Sequence, residues 1–100
     1  MAWRRVQVRT IPNDDTAFED MSEEVVSYMK TNYDDTGKRT SFTLSKSADE
    51  LVLTYTSVFK DEASKNEMYS DSTIAAEITR RDTINASNGI TREITVDEEA

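Results

Sequence analysis

Histidine and cysteine are both absent from the 100 residues, glycine occurs twice and proline once. Each scarcity removes a class of chemistry. With no Cys there is no disulfide framework and no thiolate metal site, a usage compatible with a reducing cytoplasm. With no imidazole either, the two ligand types that hold transition metals in small proteins are missing. Carboxylates suit Mg²⁺ and Ca²⁺, but the Asp, Asn and Gly spacing of an EF-hand loop does not occur. Gly37 and Gly89 both follow helical patterns, whereas a nucleotide-binding turn needs glycine ahead of a helix N-terminus. The chain is therefore expected to carry no metal, haem, flavin or nucleotide cofactor. Long apolar runs are also lacking. None approaches the roughly 20 residues of a membrane span, and Met1 to Gln7 lacks the apolar stretch of a signal peptide. The expectation is a soluble, cytoplasmic protein, in which the sequon Asn85-Ala86-Ser87 has no consequence.

Positive charge is in short supply as well. With 20 acidic against 12 basic residues the net charge is −8, so phosphate backbones and anionic membranes are repelled, and neither nucleic acid nor membrane is an expected partner. Imitation of DNA would need an uninterrupted acidic field. Arg4, Arg5, Arg9, Lys38, Arg39, Lys46, Arg80, Arg81 and Arg92 break it up, and the acidity is accounted for by solubility.

What the chain does have is a clear order of hydrophobic rhythms within a length that fits one domain, 1–100. Val6, Val8 and Thr10 alternate with Arg5, Gln7 and Arg9, the period of a half-buried strand from about Trp3 to Ile11, closed by Pro12 and Asn13. Thr16-Ala17-Phe18-Glu19 has capping-box spacing, with Asp14 and Asp15 placed to favour a helix N-terminus. Phe18, Met21, Val25 and Tyr28 or Met29 continue a stripe to about Tyr33, and Asp35 to Lys38 ends it. Phe42 and Leu44 alternate with Ser41 and Thr43. Lys46 to Asp49 supplies turn chemistry, and Leu51 to Phe59 is rich in β-branched and aromatic residues, which predicts a hairpin. A second helical stretch opens at Asp61-Glu62 and stops at Asn88-Gly89. Ser70-Asp71-Ser72-Thr73 interrupts it with cap-forming residues, leaving open whether 61–88 is one helix or two. Ile90, Ile94 and Val96 then predict one face of a last strand, with 97–100 as a frayed acidic tail.

The order β-α-β-β-α-β predicts an α+β, ferredoxin-like domain, a four-stranded antiparallel sheet with the helices on one face. Strand three carries Leu51, Leu53 and Tyr55 on one side and Val52 and Val58 on the other, so the uncovered face is expected to pair with a second copy. The aromatic strand Leu53-Thr54-Tyr55-Thr56-Ser57-Val58-Phe59, the helical stretch after it, and the exit Asn85-Ala86-Ser87-Asn88-Gly89-Ile90 into a final strand resemble the dimeric α+β barrel superfamily. These are small ferredoxin-like proteins related to the antibiotic-biosynthesis monooxygenases. The resemblance implies two sheets packed into a barrel and a pocket between helices and sheet. It also implies, as the enzymatic alternative, a cofactor-independent oxygenase or isomerase acting on a small aromatic or polyketide-like molecule. The His that commonly acts in such pockets has no counterpart in this chain.

Four groups of side chains are candidates for chemistry. Ser27 with Lys30 and Ser57 with Lys60 match the S-x-x-K spacing of serine–lysine acyl enzymes, a pattern common by chance and without its companion motifs in this chain. Glu67 with Asp71, and Glu19 with Glu23, stand one helical turn apart, where a hard cation could be shared and where solvated faces are the ordinary outcome. Arg80-Arg81-Asp82 offers either helix-end charge or a buried pair that organises a pocket. Trp3, Tyr28, Tyr33, Tyr55 and Tyr69 could line a pocket for a flat apolar ligand, or serve as core. From these the expected ligand-binding set is Tyr28, Tyr55, Tyr69 and Arg81. The function read from the residues is a small homodimeric ligand-binding or interaction domain with no evident catalytic constellation.

Overall fold

The computed structural model describes all residues from Met1 to Ala100. Its elements are β1 (Trp3–Thr10), α1 (Glu23–Met29), β2 (Arg39–Lys46), β3 (Val52–Phe59), α2 (Glu62–Ser70), α3 (Ser72–Ser87) and β4 (Thr91–Glu99). A π-helical turn, Lys30–Asp34, prolongs α1, and the Asp35 amide closes it on the Lys30 carbonyl at 2.8 Å. The strands form one sheet in the order β2-β3-β1-β4, every neighbouring pair antiparallel. This is the predicted α+β, ferredoxin-like arrangement, and no helix is long and apolar enough to cross a membrane.

The hairpin turn is built as its residues suggest. Ser47 Oγ donates to Asp49 Oδ1 at 2.6 Å, and the same oxygen accepts from the Leu51 amide at 3.1 Å. Gly89, at φ +78°, ends α3 by donating to the Ala86 carbonyl while Ile90 reaches that of Asn85, the closure only a residue at ease with positive φ makes cheaply. The second helical stretch does break in two. Asp71 is the last cap of α2 and the first of α3, its Oδ1 accepting from the Thr73 amide at 3.0 Å.

Three expectations are corrected. The first helix starts at Ser22, which caps the Val25 amide, instead of at Thr16. Thr16 donates to Asn13 Oδ1 instead, and α3 claims the polar groups of the following residues: Asn85 takes both the amide and the carbonyl of Glu19, and Asn88 the carbonyl of Ala17. A backbone bound sideways in this way cannot also close helical turns. Secondly, residues 97–99 are not a tail. Asp97, Glu98 and Glu99 pair in register with Arg5, Arg4 and Trp3, and Arg5 meets Asp97 at 2.9 Å. Thirdly, Ile94 and Val96 do not share a face, because Thr95 is an extra residue in the ladder. Ile94 stands opposite Gln7 and Val96 opposite Val6.

The helices cover the face that carries Trp3, Arg5, Gln7 and Arg9 of β1 and Leu53, Tyr55, Ser57 and Phe59 of β3. The alternation in β1 is thus real but points its polar set toward the helices. Val6, Val8 and Thr10 stand on the open face with Val52, Thr54, Thr56, Val58 and Val96. Under the helices the core falls into two parts. Met29, Tyr33, Phe59, Met68 and Ile74 pack at one end, and Ile11, Leu53 and Ile90 at the other. Along β3 the residues between Phe59 and Leu53 are Ser57 and Tyr55, and both line a cavity.

Candidate functional site: a polar-floored cavity between helices and sheet

The cavity has a volume of about 410 Å³ and half of its 18 lining residues are hydrophobic. Its floor is the sheet: Gln7 and Arg9 from β1, Tyr55 and Ser57 from β3, Arg92 from β4, and Arg39, Phe42 and Leu44 from β2. Its roof is Met21, Val26 and Met29 around the first helix, Met68 and Tyr69 from α2, and Ile78 and Arg81 from α3. The bulge at Thr40 in β2 sets Phe42 opposite Ser57 and Leu44 opposite Tyr55, which brings both onto the cavity side. Val26, Phe42 and Leu44 are nonetheless about half exposed and form an apolar margin.

A chain of polar contacts runs across the floor. Gln7 Nε2 donates to the Tyr69 hydroxyl at 3.1 Å, and Gln7 Oε1 accepts from Arg92 Nε at 2.7 Å. Arg92 Nη1 donates to Asp82 Oδ2 at 3.1 Å, while Asp82 Oδ1 lies 3.0 Å from Arg9 Nη2 in a charge contact without hydrogen-bond alignment. One carboxylate thereby serves two guanidinium groups. Arg39 is better supplied, held by both Asp34 oxygens at 2.6 and 3.0 Å. Arg81 is the least satisfied. Its side chain is buried, its Nε is 3.5 Å from the Glu19 carbonyl, its Nη2 has no hydrogen-bond partner, and the nearest carboxylate, at 3.5 Å, belongs to the exposed Asp20.

Burial lowers the pKa of Arg9, and the nearby Arg81 charge adds to the effect against the opposing pull of Asp82. Burial likewise raises the pKa of Tyr69, only partly countered by Arg5, so its phenol stays a hydrogen-bond donor or acceptor through the neutral range. Arginine, phenol and hydroxyl groups beside an apolar wall can orient a small molecule and stabilise negative charge on its oxygens.

The structure brings three of the four expected site residues, Tyr55, Tyr69 and Arg81, around one cavity and leaves Tyr28 outside it. The Tyr28 and Tyr33 hydroxyls both donate to Asp71 Oδ2 at 2.7 Å, tying α1 and the π turn to the α2–α3 junction. The Trp3 indole donates to Asp97 at the sheet edge. In the Arg80-Arg81-Asp82 run the two arginines part: Arg80 binds Glu77 and Glu19, and Asp82 reaches across to β1 and β4. The carboxylates paired by sequence are separately engaged, Glu67 with Lys38 and Asp71 with the tyrosines, while Glu19 and Glu23 are not one helical turn apart, since Glu19 lies ahead of α1 and binds Arg80. Of the serine–lysine matches, Lys30 pairs with Asp35, while Ser57 lines the cavity and Lys60 is exposed. Gln7, Arg9, Arg39, Ser57 and Arg92 line the same cavity and were not among the residues the sequence pointed to. The signal was present in β1 as two opposite faces, but alternation alone does not say which of them looks at the helices.

The fold is similar to that of a solved structure, Rv0793 from Mycobacterium tuberculosis, with a TM-score of 0.53 and 15% identity over 98% of this chain and 99% of that one. No protein-family model and no curated protein matches the chain.

Proposed function

We propose that this chain is a small-molecule-binding protein that acts as a homodimer of the dimeric α+β barrel type. The cavity takes a small, largely apolar or aromatic ligand, and the open sheet face meets a second copy. The observation that carries the reading is the cavity itself. A domain of 100 residues has little core to spare, yet a cavity of about 410 Å³ lies between helices and sheet, half of its lining apolar and arginine, phenol and hydroxyl groups converging on it, which is the form of a small-molecule site. Tyr55, Tyr69 and Ser57 give such a ligand its orienting contacts.

The dimer rests on the open face, where Val6, Val8, Val52, Val58 and Val96 stand together with threonines and no element of the chain covers them. Titration of ¹⁵N-labelled protein with small aromatic fragments tests the ligand site. The expected shifts cluster at residues 55–57, 69 and 81, and a soluble fragment set that moves none of them would reject it. Sedimentation at micromolar concentration tests the dimer, for which a monomer is the refuting result.

A further inference from the structure

Resting on the reading of the cavity as a ligand site, we infer that its ligand carries a carboxylate, seated at the Arg81 and Arg9 end with an apolar body lying toward Phe42 and Leu44. The chain as a whole is strongly acidic, at −8, but the cavity reverses that sign. Its lining holds five cations, Arg9, Lys30, Arg39, Arg81 and Arg92, against the two carboxylates Asp20 and Asp34. Such an inversion inside an acidic protein does not follow from composition.

The neutralisation within the chain is also incomplete at one end only. Lys30 and Arg39 have their own carboxylates, Asp35 and Asp34. Arg9 and Arg92 divide Asp82 between them. Arg81, with 6% of its side chain exposed, has only Asp20, 3.5 Å away and 82% exposed. A buried guanidinium without a matched anion is destabilising for the empty protein, and the charge that would relieve it is one supplied from outside. Two buried guanidinium groups that feel one another's charge suit a planar carboxylate, whose two oxygens accept from the fork of each. Tyr55, one pleat along from Leu53, the residue opposite Arg9, adds a neutral contact to the same head. A phosphate dianion fits less well, because the excess charge at this end is close to one.

Calorimetric titration of the full chain at pH 7.5 with three probes of one shape decides the matter: 1-naphthoate, 1-naphthalenemethanol and 1-naphthylmethylammonium. The expected order is naphthoate tightest, by about tenfold over the alcohol, as charge-assisted hydrogen bonds would give, and the ammonium weakest. In Arg81→Gln the naphthoate preference falls to within about twofold while the alcohol changes little. If the alcohol matches naphthoate in the wild-type protein, the carboxylate inference is overturned and the apolar cavity reading stands. If none of the three binds, both fail. The wild-type ranking decides even where Arg81→Gln does not fold.

Discussion

Asn85→Ala is expected to be the most damaging truncation of any polar side chain in the molecule. The Asn85 side chain is 1% exposed. Its Oδ1 accepts from the Glu19 amide at 2.8 Å and its Nδ2 donates to the Glu19 carbonyl at 3.1 Å, a two-point clasp between α3 and the irregular run ahead of α1. Truncation removes both hydrogen bonds, leaving the half-buried Glu19 amide without a partner and its carbonyl with only the 3.5 Å contact from Arg81 Nε. At about 1–2 kcal/mol for each unsatisfied group, the loss is about 2–4 kcal/mol. For a domain of this size about 4–8 °C of Tm accompanies each kcal/mol, so the midpoint should drop by about 8–32 °C. Thermal unfolding followed by far-ultraviolet circular dichroism, at one fixed protein concentration because the midpoint of the proposed dimer would depend on it, measures the change. Asn88→Ala is the control. Asn88 is exposed and makes one comparable bond, to the Ala17 carbonyl at 3.1 Å, and should cost under about 1 kcal/mol. A loss at Asn85 no larger than that at Asn88 would refute the view that this clasp holds the segment and, through Met21, the cavity roof.

Arg80 holds the Glu77 carboxylate at about pKa 2, against a desolvation effect that alone would raise it, and the Ser22 amide adds to the lowering at 2.5 Å. Because the folded pKa is depressed, this stability is complete above about pH 5 and is lost as the pH falls toward 2. Glu77→Gln should flatten the acid limb of a stability–pH profile, and an unchanged limb would contradict the assignment. Val6→Asp places an unpaired charge on the open sheet face between Thr56 and Val96, so the proposed dimer should sediment as a monomer with the far-ultraviolet spectrum intact. Arg81→Met removes a buried, poorly partnered guanidinium, and the ligand-free protein should gain about 0.5–2 kcal/mol in urea unfolding. A loss above about 1 kcal/mol would mark Arg81 as structural.

Much of the fold could be read in the residues because its signals are local. The hairpin turn at Ser47 to Asp49, the stop at Asn88-Gly89 and the break at Asp71 each depend on side chains within a few positions of the backbone they cap. Strand period is local too, which is why the element order and the antiparallel α+β class were both legible. The start of α1 was not. Asn85, 66 residues away, competes for the Glu19 backbone and wins over a capping box that would otherwise be satisfied nearby. Nor was the pairing that turns Asp97 to Glu99 into strand, although Arg4 and Arg5 stand opposite as complementary charges.

The site divides in the same way. Tyr55, Tyr69 and Arg81 could be named as aromatic and charged residues in amphipathic elements, and Tyr28 had the same credentials until Asp71 drew its hydroxyl elsewhere. Which elements form, and in what order, follows from the residues alone, since propensity, caps and period act over a few positions. Which face of β1 meets the helices, how the bulges at Thr40 and Thr95 turn Phe42 and Ile94 toward the same side, and that arginines gather around one cavity are all settled by long-range packing. Those outcomes depend on register between distant strands, where a shift of one residue exchanges the two faces of a sheet and no local preference resists it.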